Sequence, residues 1–190
     1  MQRTADHSIE PLFTKRWSPR SMSGQALSGA ELLSLVEAAR WAPSCANQQP
    51  WRFAYALAGT PHFAAFFDLL ADGNKPWCAR AGAFVIVLSK KTSDNGSPLP
   101  TPSFDAGAAW MSLALQASAM GLVAHGMAGF DYARARTALN VPDDYNIEAM
   151  IALGHPGKLE DLPEKYRERE IPNGRKPVSD LVLVGGFPKA

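Results

Sequence analysis

The sequence holds only two cysteines, Cys45 and Cys78, too few and too far apart for a CxxC redox pair, a zinc knuckle or a disulfide framework. They are read as reduced thiols. Charge is scarce as well: Asp, Glu, Lys and Arg make up 19% of the chain, against roughly 25% in an average soluble domain. With 19 basic and 18 acidic residues the net charge is +1, so no global field draws the protein to nucleic acid or an anionic membrane. Any phosphate must be held by a local group of side chains. The longest strongly apolar run, Ala81 to Leu88, falls far short of a membrane span, and the N-terminal stretch MQRTADHSIEPLFTKRW carries acidic residues and no apolar core of a signal peptide. A cytoplasmic protein is expected, with neither nucleic acid nor membrane as partner. Missing too are the GxSxG elbow, GxGxxG after a strand, GxxxxGK[ST] and HExxH. The four histidines, His7, His62, His125 and His155, have no metal-ligand spacing, so no metal is expected, and His125 reads as a packed structural histidine.

What is present is a core. In 190 residues, 46% are apolar, enough for one compact unit. Ser28 and Glu31 stand at capping-box spacing before Leu32, Leu35, Val36 and Ala39, which predicts a helix from Gly29 to Trp41, stopped before Pro43. Trp51 to Leu57 predicts a strand, and Thr60-Pro61 opens a helix through Leu70. The β-branched run Ala83 to Ser89 predicts a strand covered on both faces. Lys90 to Ser103 reads as a surface excursion. Phe104 to Met120 predicts a helix ended at Gly121, apolar nearly all round and therefore in need of cover on nearly every side. A strand near Leu122 to Met127, a helix capped by Asp131, a strand near Glu148 to Gly154 and an extended tail from His155 complete the pattern.

Four short segments could carry chemistry. In Arg16-Trp17-Ser18-Pro19-Arg20 an extended backbone, favoured before proline, puts Arg16, Ser18 and Arg20 on one face. Two guanidinium forks and a hydroxyl then point the same way, a row suited to a phosphate and a polar ring edge. An ordinary solvated basic strand is the plainer reading of this triplet alone. The loop Pro43-Ser44-Cys45-Ala46-Asn47-Gln48-Gln49-Pro50 offers donors and acceptors to a flat heterocycle, and Gly126-Met127-Ala128-Gly129 lacks side chains where a ring could approach backbone. A tight turn is the alternative for the latter. Asn173-Gly174-Arg175-Lys176-Pro177 is a second basic element at the far end of the chain.

Taken in order, RWSPR, PSCANQQPWRF, DAGAAWMSLALQASAMGL, HGMAGFD, IALGHP and GRKP resemble the flavin-dependent nitroreductase family from about Arg16 to Val182. The resemblance implies an α+β fold, a mixed central sheet flanked by helices, and one FMN-binding domain over residues 1–190. It further implies a homodimer with FMN at each subunit interface. Arg16 and Ser18, with Trp17 between them, would hold the phosphate and ribityl chain, Arg20 would sit near N1 and O2 of the ring, and Arg175 would meet the phosphate. Pro43, Ser44, Cys45 and Asn47 would line the ring from the other subunit, Asn74 would stand beside the ribityl chain, and Gly126, Met127 and Gly129 would face the flavin.

No side chain is assigned a catalytic role, since the flavin carries the chemistry. The implied activity takes hydride from NADH or NADPH and passes it to a small-molecule acceptor such as a nitroaromatic or quinone. A specialised dehalogenase or oxidase, or a flavin binder without turnover, are the alternatives. Two departures stand out: Ala128 occupies the place of a family glutamate, and the stretch between Gly59 and Phe104 lacks an obvious helical lid.

Overall fold

The computed structural model describes residues 3–187. The domain expected over 1–190 therefore includes residues 1, 2 and 188–190, which lie outside the described part. In chain order come α1 (Pro11–Lys15), α2 (Gly29–Arg40), β1 (Trp51–Leu57), α3 (Pro61–Asp68), α4 (Lys75–Cys78), β2 (Ala83–Lys90), α5 (Pro102–Ala119), β3 (Val123–Met127), α6 (Tyr132–Ala138), β4 (Tyr145–Gly154) and α7 (Glu164–Arg167).

Local chemistry sets the element ends. At the start of α2, the Ser28 hydroxyl accepts from Glu31 N at 3.2 Å, and the Glu31 carboxylate accepts from Ser28 N at 2.8 Å, closing the capping box. At the end of α5, Leu122 N donates to Ala117 O and Gly121 N to Ser118 O, the paired bonds of a Schellman stop. Asp131 caps α6 by accepting from Arg134 N at 2.9 Å.

The strands stand in the order β1-β2-β4-β3, and each neighbouring pair is antiparallel. The mixed sheet implied by the family resemblance is thus corrected. β2 and β3 run the same way and are linked through α5, but β4 enters between them in the opposite direction, so no parallel ladder forms among the described residues. Along β4, Ala149 faces Val87 and Ile147 faces Leu88, which leaves Glu148 as a bulge residue. Its carboxylate accepts from the hydroxyls of Ser89 and Ser103 and ties the excursion after β2 to the sheet.

Helices cover both sheet faces. Val85, Val87, Ile151 and Leu153 pack against Leu32 and Leu35 of α2 and Leu113 and Ala117 of α5. Phe84, Ile86, Met150 and Ala152 pack on the other side against Phe66, Leu69, Trp77 and Ala135. That double cover is why β2 reads as an unbroken apolar run although its ladders are antiparallel. Within one copy, Ala106, Ala109, Leu113 and Ala117 of α5 are buried, while Phe104 is 80% and Met111 38% exposed. The sheet, α1 and α2 pack on the helix, so the cover expected on nearly every side is not completed by its own chain.

Candidate functional site

The two ends of the chain meet beside this sheet. Arg3 Nε donates to Asn173 O at 2.9 Å, and its Nη1 donates to Thr14 O at 2.9 Å and Arg16 O at 2.6 Å. The Glu170 carboxylate accepts from the backbone N–H groups of Arg20 and Ser21, each at 2.7 Å. The Ser21 hydroxyl donates to Lys158 O at 2.6 Å. These bonds hold the segment before α2 extended against the tail.

Between them lies a cleft of about 720 Å³, within the size range of small-molecule sites. Arg16, Trp17, Ser18 and Arg20 form one wall, Asn173, Gly174 and Arg175 the opposite one, and His125 of β3 closes the back. Arg16 Nη1 donates to the Ser18 hydroxyl at 3.4 Å, so the extended row does turn both groups to one side. Among the described residues, Arg16, Arg20 and Arg175 have no ion-pair partner. Burial, then the charges of Arg3 and Arg175, hold the Arg16 pKa below its ordinary value, and burial followed by Arg175 does the same to Arg3. Arg3, Arg16 and Arg175 therefore crowd one another; Glu168 also lines the cleft but forms no ion pair with them among the described residues, so a bound anion would relieve the repulsion.

A second recess of about 360 Å³ shares Arg16 and Ser18 with the cleft and continues along the sheet. Gly126, Met127 and Ala128 floor it, with Trp110, Met111 and Ala114 of α5 opposite. It is apolar and carries no carboxylate in its lining. The arginine-lined cleft thus opens directly onto a largely apolar recess.

Not every expected residue comes to these walls. Pro43, Ser44, Cys45 and Asn47 line neither the cleft nor the recess of their own chain. Their loop is fixed near the start of α5, where the buried Asp105 carboxylate accepts from Cys45 N at 3.1 Å. Ala46, Asn47 and Gln49 all have positive φ, 47°, 55° and 48°, a run of left-handed non-glycine residues that costs backbone energy and marks a constrained loop. Asn74 and Gly129 are also absent from both linings. A Cβ on Gly129 would stand 2.6 Å from Asn74 Nδ2, and one on Gly126 would stand 3.0 Å from the Trp110 ring. The missing side chains make room for Asn74 beside Gly129 and for Trp110 beside Gly126, and Gly126 also lines the recess.

Sequence reasoning missed Arg3, whose signal is confined to a contact 170 residues away along the chain. It placed His125 in the packed interior. The ring is indeed packed, with Nδ1 2.9 Å from Pro19 O, but it also faces the cleft. Burial in the first place, and Arg20 after it, hold the His125 pKa below the ordinary histidine value.

Comparison with known proteins bears on the family and the fold. The model of the Nitroreductase family matches residues 13–64 and 59–155. A crystal structure described as an oxidoreductase containing FMN shares the fold with a TM-score of 0.94 at 40% identity, over 99% of this chain and 97% of its own. A 15.4 kDa uncharacterized protein of Mycolicibacterium smegmatis is 34% identical over 131 residues, 68% of this chain and 87% of its own. A Streptomyces coelicolor protein named "Putative NADH dehydrogenase/NAD(P)H nitroreductase SCO7141" is 27% identical over 167 residues, 76% of this chain and 81% of its own. With most of its length matched, the chain belongs to the nitroreductase family of oxidoreductases.

Proposed function

We propose that this protein is a homodimeric FMN enzyme, residues 1–190 forming one cofactor-binding domain, that draws reducing equivalents from NADH or NADPH and delivers them to quinones or nitroaromatics. The observation that carries the reading is the unpaired arginine cluster opening onto an apolar slot. FMN has the matching parts, a phosphate dianion and a flat ring. Arg16, Ser18 and Arg175 would hold the phosphate and ribityl end, Arg20 would face the polar edge of the ring, and Met127 with Trp110 would cover the ring itself.

Bound there, FMN would supply the hydride chemistry that links the nicotinamide to the acceptor. The protein's own contribution is placement and electrostatics. Arg20 would add a cation at the polar edge of the ring, where negative charge gathers on reduction, and the apolar recess would seat the ring. With alanine at position 128 the recess offers no side-chain acid, so the acceptor takes its proton from solvent.

The homodimer is supported by what one copy leaves open. Phe104 and Met111 on α5 and Trp41 after α2 are exposed, and the constrained loop from Pro43 to Asn47 lines neither the cleft nor the recess of its own chain. A second copy would cover the first and receive the second. Mixing the apo-protein with FMN, removing free flavin and adding NADH or NADPH anaerobically tests the function. Yellow protein that bleaches and recovers with a quinone is the expected result. Protein that emerges colourless sinks the FMN assignment, and yellow protein that neither nucleotide bleaches sinks the reductant.

A further inference from the structure

Behind the cleft a continuous line of side chains joins two segments far apart in sequence. Asn74 Nδ2 donates to Gly129 O at 2.9 Å, and Asn74 Oδ1 accepts from Trp77 Nε1 at 3.2 Å. Trp77 is buried and lies against His125, ring centroids 4.6 Å apart and planes at 48°. His125 Nδ1 stands 2.9 Å from Pro19 O. A carbonyl oxygen only accepts, so Nδ1 carries the proton and the neutral ring keeps Nε2 as an acceptor. The Arg20 guanidinium rests over the Trp77 ring, 5.8 Å from its centroid.

This line spans the gap between the turn at Gly129 and the extended segment that carries Arg16, Ser18 and Arg20. Arg20 is fixed at its backbone by Glu170. Its guanidinium makes no side-chain hydrogen bond or ion pair among the described residues, so the face of Trp77 is what directs it. A free arginine side chain loses up to about 2 kcal/mol of rotamer entropy when a ligand immobilises it. One already laid on an aromatic face has lost part of that beforehand. His125 acts on the same segment from the other side, because its bond to Pro19 O holds the residue immediately before Arg20.

We propose that His125 and Trp77, with Asn74 bracing Trp77, are positioning residues that fix the Pro19 carbonyl and the Arg20 guanidinium, and so set the charge that a bound flavin ring meets. The inference rests on the FMN reading above. Because a cation favours the reduced, more negative flavin over the oxidised one, the place of Arg20 governs the reduction potential more than it governs binding of oxidised FMN.

The test measures two quantities on the FMN-loaded protein, the dissociation constant of oxidised FMN and the midpoint potential. His125→Leu is expected to lower the potential by about 30 mV, the two-electron equivalent of a tenfold loss in preference for the reduced form. His125→Asn, whose amide can still donate to Pro19 O, is expected to recover most of that shift. Trp77→Phe keeps a ring but drops the bond to Asn74, and is expected to shift the potential in the same direction. It also provides the reading should His125→Leu fail to fold. In an Arg20→Ala background His125→Leu is expected to change the potential no further, since it acts through Arg20. Potentials unmoved in both His125→Leu and Trp77→Phe, or shifts that add fully to that of Arg20→Ala, overturn the inference while leaving the function standing. A wild-type chain that takes up no FMN overturns both.

Discussion

Replacing Arg16 by alanine separates two roles that most binding-site residues combine. In the protein without ligand, Arg16 is partly buried and crowded by Arg3 and Arg175, with no ion pair among the described residues, and its own protonated state is disfavoured there. Truncation therefore removes a repulsion. In the FMN-loaded protein the same side chain would donate to a phosphate dianion, and a hydrogen bond to a charged group contributes about 1.5 to 3 kcal/mol. At 1.4 kcal/mol per factor of ten, that is a loss of roughly 10- to 150-fold in affinity. The relief of repulsion in the empty cleft adds to that loss, since it stabilises the unbound state of wild type less than that of the variant. Arg16→Ala should thus bind FMN at least tenfold more weakly, while its apo form unfolds at no lower temperature than wild type. Flavin fluorescence titration gives the first quantity and thermal unfolding of apo-protein the second. Riboflavin, which lacks the phosphate, supplies the control: its binding should change by less than threefold. Wild-type FMN affinity in Arg16→Ala, or an equal loss for riboflavin, would refute the assignment of the cluster to the phosphate.

Three further outcomes are expected. His125 has a lowered pKa in the folded chain through burial and Arg20, so below about pH 6.5 the unfolded chain takes up the proton first and stability falls as pH falls toward the folded value; urea midpoints at pH 7.5 and 5.5 should differ less in His125→Asn than in wild type, and equal differences count against it. Sedimentation of the FMN-loaded protein should give twice the chain mass of 20.5 kDa, and a flavin-bound species at the single mass would end the two-copy reading. A steady-state survey of acceptors should show broad, slow use with quinones ahead, because the recess offers no side-chain acid; one acceptor far above all others contradicts this.

Local signals were the legible part of this chain. The capping box at Ser28 and Glu31, the apolar run of β2 and the stop at Gly121 each depend on residues within a few positions, and the structure has them where the sequence puts them. The row Arg16, Ser18, Arg20 was legible for the same reason, since the bias before Pro19 is local. Strand order was not, because nothing within β4 tells that it will enter between β2 and β3. Nor was the use made of Gly126 and Gly129: the absent side chain is visible in the sequence, but the arrival of Trp110 and Asn74 is decided by packing of distant helices. The apolar girth of α5 announces a need for cover and is silent on whether its own chain supplies it.

The bond between Arg3 and Asn173 has a consequence for how the protein comes into being. A contact between residues 3 and 173 cannot form until both have left the ribosome, and at roughly 5 to 20 residues per second the 170 residues between them take on the order of ten seconds or more. All four strands are complete by Gly154, so the sheet and its helices can assemble while the wall containing Arg175 is still being made. The newborn enzyme is a scaffold before it is a receptacle. On the proposed reading, a chain that stops at Gly154 would keep Arg16, Ser18 and Arg20 but lack Arg175, so it should retain FMN less firmly than the chain that carries the tail.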